Sequence, residues 1–175
     1  MLCALHHGGV LILRYALRAL GYPAASLVTE RLDERPLLKK LKDSLSSPSS
    51  LPNVFSGKFP KTGMTFLKRG GLLIAMLDHL EGRMMEVPID GGGWRISTTS
   101  LRMARKARAR VHPVIIREKE PWRFVIHIGE NIPPDLLESD EGLAEAGKFL
   151  WRGYAPGLNK SPWDSCAELY HSLRS

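Results

Sequence analysis

Residues 63–92 constrain the chain most. They open as the end of a helix, Lys68-Arg69 followed by the stop signal Gly70-Gly71. They continue as an apolar run from Leu72 to Leu77, the length of a buried strand. The run ends in Asp78-His79, two polar groups at a strand's carboxyl end, where open α/β sheets bind their ligands. A glycine-rich stretch follows, with Val87-Pro88 and Gly91-Gly92-Gly93. Taken alone, the segment reads equally well as a strand, a turn and a polar tip without further role.

The same alternation runs through the chain. Residues 2–5 look like the tail of a strand, and His6-His7-Gly8-Gly9 like a strand-to-helix turn. Residues 10–20 suit a helix with Arg14 and Arg18 four apart, stopped by Gly21-Tyr22-Pro23, and 24–29 read as a second strand. Such a unit is most simply a right-handed parallel crossover. Residues 30–60 are irregular: a charged piece with Arg31, Arg35, Lys39, Lys40 and Lys42, then a Ser/Pro/Gly-rich loop, either a lid or a connector. Residues 61–69 form a short helix. Residues 84–89 form a short extended piece in which Pro88 argues against a central position. Gly91 to Gly93 read as a flexible loop. Ser97 to Ser100 offer N-caps for a basic helix over about 99–109, carrying Arg102, Arg105, Lys106 and Arg108. Residues 111–117 and 122–128 make an antiparallel hairpin. Pro133-Pro134 breaks the chain, Ser139 or Asp140 caps a helix over about 141–152, and a short helix ends the sequence. The expected fold is α/β, a central mixed, mostly parallel sheet flanked by helices on both faces. Its 175 residues suffice for a single domain with a real core.

A net charge of +7 points to anionic partners: phosphate-bearing substrates, an acidic membrane surface or nucleic acid. Nucleic acid is the least favoured, because the four Trp and four Tyr are scattered instead of forming a stacking platform. The two cysteines, Cys3 and Cys166, show no zinc spacing and read as inert packing residues in a reducing, cytoplasmic setting. No apolar run approaches the roughly 18–20 residues that span a bilayer. No charged leader precedes an apolar core at the start. No Walker or Gly-x-Gly-x-x-Gly context supports nucleotide binding.

Leu5-His6-His7-Gly8-Gly9-Val10, Ala16 to Pro23, Leu67 to Asp78 around Lys68-Arg69-Gly70-Gly71, Gly82-Arg83, Val87-Pro88 with the following glycines, the 111–128 hairpin and Pro156 to Trp163 occur in a telling order. In that order they resemble the lysophospholipid and lipid A acyltransferase family, especially the branch that adds lauroyl or myristoyl chains to lipid A precursors. The resemblance covers most of the chain and implies an enzyme that moves a fatty acyl group from a thioester, on CoA or acyl carrier protein, to a lipid hydroxyl. It implies His6 as general base, oriented and polarised by an acid, with basic side chains on the acceptor's phosphates. It implies no metal or redox cofactor, and a position peripheral to the cytoplasmic face of the inner membrane. The family's signature is a histidine, four residues, then Asp or Glu. Here the acid position counted from His6 is Leu11, and from His7 it is Ile12. Asp78 matches the family's second acidic position and becomes the candidate supporting acid. Arg83, Arg31 and Arg35 become the candidate phosphate contacts. His79 is an alternative base, and His112 and His127 read as structural. Relatives usually carry a membrane-associated helix and about a hundred residues ahead of the histidine motif, so the sequence suggests a shortened or divergent member. Leu11 also favours a second reading, an inactive relative that binds acyl lipid or anionic membrane without chemistry.

Overall fold

The computed structural model describes residues 1–7, 9–28, 54–55, 59–79, 82–90, 92–121, 123–158 and 173–174. The main sheet is built on β1 (Leu2–Ala4), β2 (Ala24–Val28), β3 (Val54–Phe55), β4 (Leu72–Met76), β7 (His112–Glu120) and β8 (Arg123–Ile128), in the order β3-β2-β4-β1-β7-β8. All pairings are parallel except β7 with β8, the expected hairpin, which closes one edge. The unit from β1 to β2 is parallel, but β4 fills the slot between its two strands.

Helices cover both faces. Leu2 and Ala4 of β1, Ile74 of β4 and Val114 and Ile116 of β7 pack beneath α1 (Val10–Ala19), whose Val10, Leu13 and Leu17 form the buried stripe. The alternate residues Cys3, Leu5, Leu73, Ala75, Leu77 and Ile115 point the other way. They meet a layer of three helices, α2 (Phe59–Lys68), α3 (Thr99–Ala107) and α4 (Asp140–Leu158). The short β1 is therefore apolar throughout, as a strand buried on both faces must be.

Helix α4 lies directly on the sheets because glycines face them. A Cβ at Gly147 would stand 2.5 Å from Val87 Cγ2, and one at Gly157 2.4 Å from Ile115 Cδ1. Tyr154, fully buried, donates its hydroxyl to the carbonyl oxygen of Cys3 at 2.7 Å, so this helix is bonded to the central strand. Trp94 packs edge-on to Tyr154, with ring centroids 5.9 Å apart, and against Trp151.

A second sheet has the order β5-β6-β9, from β5 (Met84–Ile89), β6 (Gly92–Ser97) and β9 (Leu173–Arg174). Pro88 sits on its edge strand, where a missing N–H costs least. β6 corrects the expectation of a flexible Gly91–Gly93 loop at Gly92 and Gly93, while Gly91 lies outside the described residues. Burial of Trp94 and Ile96, which alternate with Arg95 and Ser97, outweighs the weak strand propensity of the glycines. A Cβ at Gly93 would meet Glu86 Oε1 at 2.8 Å, the end of a flexible side chain that can move aside. Helix α4 runs past the expected end at 152 and through Pro156. A proline there forfeits one backbone bond, while Gly157 and Leu158 beyond it stay buried. Leu173 and Arg174 form a strand, and the rest of the stretch in which a short final helix was expected, 159–172, lies outside the described residues. Arg31 and Arg35 lie outside the described residues.

Helices α1, α2 and α3 each lead back to the start of a parallel strand. Their last turns carry Arg18, Lys68, and Arg105 with Lys106. Cations there complement the negative ends of the helix dipoles. Part of the net positive charge thus has a structural origin.

Candidate active site

β1 and β4 are neighbours at the centre of the sheet, with Cys3 opposite Ala75 and Ala4 opposite Met76. Continuing the register by two residues brings His6 level with Asp78. From the end of β1 the chain turns into α1 on one face. From the end of β4 it passes toward β5, β6 and α3 on the other. Connections that part to opposite faces open a crevice at the carboxyl edge of a parallel sheet.

His6 and Asp78 meet in this crevice at two points. The His6 backbone N–H donates to Asp78 Oδ2 at 2.8 Å, and His6 Nδ1 lies 2.9 Å from Asp78 Oδ1. The Asp78 side chain is fully buried and that of His6 is 17% exposed. A carboxylate in this position favours the tautomer with hydrogen on Nδ1 and the lone pair on Nε2, an arrangement able to accept a proton. Desolvation of Asp78 is offset by the two hydrogen bonds, one from backbone and one from a ring that can become cationic.

The neighbouring histidines take other positions. His7 is buried, with its backbone N–H donated to the Leu5 carbonyl at 2.8 Å. His79 is half-buried, and its ring centroid stands 6.4 Å from that of His6. The carboxylate of Asp78 is directed to His6. Leu11 is the second residue of α1, so the Nδ1 acid comes from the adjoining strand rather than from the helix that follows the histidine.

The segment leaving the site is fastened to the start of α3. Ser97 N–H donates to Leu77 O at 2.8 Å, which ties the end of β6 to the end of β4. Gly82 has φ +82° and packs where a Cβ would lie 2.8 Å from Thr99 Oγ1. Thr98 precedes α3 as expected of a cap, but its hydroxyl donates to the Arg83 carbonyl at 3.0 Å and makes no capping bond. Ser139 does cap α4, accepting from Gly142 N–H at 3.0 Å.

Arg83 does not join His6 and Asp78; its guanidinium donates to Asp140 Oδ2 at 3.1 Å. Arg102 donates to the other oxygen of Asp140, and Arg105 to the carbonyls of Leu137 and Glu138. The bond from Arg102, with the nearby charges of Arg102, Arg83 and Arg105, holds the Asp140 carboxyl below the usual carboxylate range, against a smaller opposing effect of desolvation. The sequence marked Arg102 and Arg105 only as parts of a basic helix. The carboxylate partner that Arg102 shares with Arg83 was foreshadowed only by Asp140 at a helix start.

Cys3 is fully buried, and desolvation pushes its thiol up to about 12, so it is no nucleophile. Among the described residues no group of three or more His, Cys, Asp or Glu is arranged to hold a metal ion, and no helix is long and apolar enough to cross a membrane.

The fold is that of a glycerolipid acyltransferase: an α/β domain with a mostly parallel central sheet. A similar solved structure is the 1-acyl-sn-glycerophosphate (LPA) acyltransferase PlsC from Thermotoga maritima. It superposes with a TM-score of 0.52 and 20% sequence identity over 89% of this chain. The match spans 64% of that protein, so the chain corresponds to less than two thirds of its length. No protein-family model matches the sequence. No curated protein matches it either.

Proposed function

We propose that residues 1–175 act as one acyltransferase domain, transferring a fatty acyl group from a thioester to a lipid hydroxyl with His6 as general base and Asp78 as its orienting acid. The observation that carries this reading is the two-point contact between His6 and Asp78 at the carboxyl ends of adjacent central strands. His6 Nε2 takes the proton of the acceptor hydroxyl as its oxygen attacks the thioester carbonyl. The C–O bond forms, the C–S bond breaks, and the proton on His6 passes to the departing thiolate. Asp78 stabilises the imidazolium that exists between these events.

The donor is acyl-CoA or acyl carrier protein. The acceptor is a phosphate-bearing lipid, a lysophospholipid or a lipid A precursor of the kind that receives lauroyl or myristoyl chains. Arg83, with Arg31 and Arg35, contacts its phosphates. Arg83 suits this role because its side chain is 65% exposed and its present partner, Asp140, is a surface carboxylate that a phosphate can replace. The protein works at the cytoplasmic face of the inner membrane, on an anionic surface that its net charge of +7 favours.

The test is consumption of lauroyl-CoA and of lauroyl-acyl carrier protein by the purified chain, with and without each acceptor, beside His6→Ala. Acceptor-dependent turnover that disappears in the variant is expected. Equal background loss in both proteins would refute the assignment. It would favour the second reading, suggested by Leu11: a relative that binds acyl lipid or anionic membrane without chemistry.

A further inference from the structure

The two-residue chemistry leaves one imidazole of the crevice unused. His79 directly follows Asp78 and is half-buried. Its ring plane is tilted 51° to that of His6, with centroids 6.4 Å apart. Asp78 bonds His6 through both Oδ2 and Oδ1. The backbone of His79 is set by the end of β4, where Leu77 N–H donates to Ala4 O at 3.0 Å and Leu77 O accepts from Ser97 N–H at 2.8 Å. Rings with centroids 6.4 Å apart can flank one small group placed between them.

We propose that His79 is the oxyanion partner of His6: a catalytic residue that donates a ring N–H to the thioester oxygen as it becomes anionic. This rests on the acyl-transfer reading above. During attack the carbonyl π pair moves onto oxygen, and the hydroxyl proton rests on His6. When the tetrahedral centre collapses, the pair returns and the thiolate leaves with that proton. His79 neither gains nor loses one. Its contribution is a donor already in place where charge develops, an arrangement worth about 10²–10³ in rate per donor.

The experiment uses dodecylphosphonate, a fixed tetrahedral anion on a lauroyl-length chain, and reads the imidazole rings by ¹⁵N-correlated NMR and the probe by ³¹P titration. The expected result is that the probe shifts both His6 and His79 rings. His79→Ala should weaken its binding by about tenfold or more, and His79→Gln, which keeps a donor but not a titrating ring, should retain most of it. In single-turnover transfer from lauroyl-CoA, His79→Ala should lower the rate about 10²-fold with little change in KM. Urea unfolding of both variants separates a lost donor from a lost fold. A probe that shifts His6 alone, or binds His79→Ala as tightly as the parent, overturns the proposal. Wild-type protein that binds the phosphonate between both rings yet consumes no thioester would instead overturn the acyltransferase reading and leave the anion site standing.

Discussion

Asp78→Asn isolates what the buried acid does, because it keeps the shape and removes the charge. With Nδ1 and Oδ1 2.9 Å apart, the imidazolium and carboxylate charges are centred about 4 Å from each other. At an effective dielectric constant of about 20 their attraction is about 4 kcal/mol, which corresponds to about three decades in rate if the imidazolium is fully formed in the transition state. The amide brings a second effect. Asp78 accepts from two donors, the His6 backbone N–H and Nδ1, whereas Asn offers one oxygen and one NH₂. With the Asn NH₂ toward Nδ1, the neutral ring moves its hydrogen to Nε2 so that Nδ1 can accept, which removes the lone pair that would take the proton; with the oxygen toward Nδ1, the NH₂ faces the His6 backbone N–H instead, at a cost of about 1–3 kcal/mol. The expected outcome is a fall in kcat of about 10³-fold, with KM for lauroyl-CoA changed less than about threefold, since the Asp78 side chain is fully buried and bonded to His6. Thiol release from lauroyl-CoA at pH 7 measures the rate, and urea unfolding under the same conditions measures the stability loss. A variant that retains more than a tenth of the wild-type kcat while remaining folded would refute the assignment of Asp78 as the orienting acid.

Three further outcomes follow from the same geometry. Leu11→Glu should give no gain in thioester consumption over wild type, since His6 Nδ1 already has its acid; a gain of tenfold or more would show that Asp78 orients the ring poorly. Tyr154→Phe should lower the unfolding free energy by about 1–3 kcal/mol in urea titrations, because the buried carbonyl of Cys3 loses its hydroxyl donor; an unchanged midpoint would contradict that bond. The thiol of Cys3 is raised from 9.0 to about 12 in the fold, so its contribution is complete below pH 9 and is lost as pH rises toward 12. Stability should therefore fall by about 1.4 kcal/mol per pH unit above pH 9. Cys3→Ala should remove the part of this slope between pH 9 and 10, before the raised phenol of Tyr154 adds its own.

What the sequence made legible was local. The apolar run 72–77, the helix over 10–20 and the hairpin of 111–117 with 122–128 each carry their period within a few residues, and each became the element expected, except that the hairpin's first strand runs on to Glu120. Asp78 was recognisable as a strand-tip acid, and His6 as a turn histidine, for the same reason. Their contact was not, because 72 residues separate them and only the order β4-β1 in the sheet brings them together. The vacancy at Leu11 was legible too, and its resolution lay on the neighbouring strand. The misreading of Gly92 and Gly93 shows a different limit. Glycine signals a loop when read alone, but the alternation of Trp94, Arg95, Ile96 and Ser97 behind it was a strand signal of ordinary strength. Helix α4 outran its expected end because packing against Ile115 holds the turn that Pro156 weakens.

A base and acid five residues apart can find one another while the rest of the chain is still a coil; this pair cannot. Joining points 72 residues apart rather than five raises the entropy of closure by about 2 kcal/mol. Parallel strand pairing must be completed before that cost is recovered. In refolding from denaturant, the imidazole of His6 should acquire its native tautomer with the slowest, sheet-forming phase and not with early helix formation. No fragment that stops short of β4 would hold the His6–Asp78 contact. That contact is therefore a property of the finished topology, and it makes the His6 ring a reporter of whether the central strands have assembled in register.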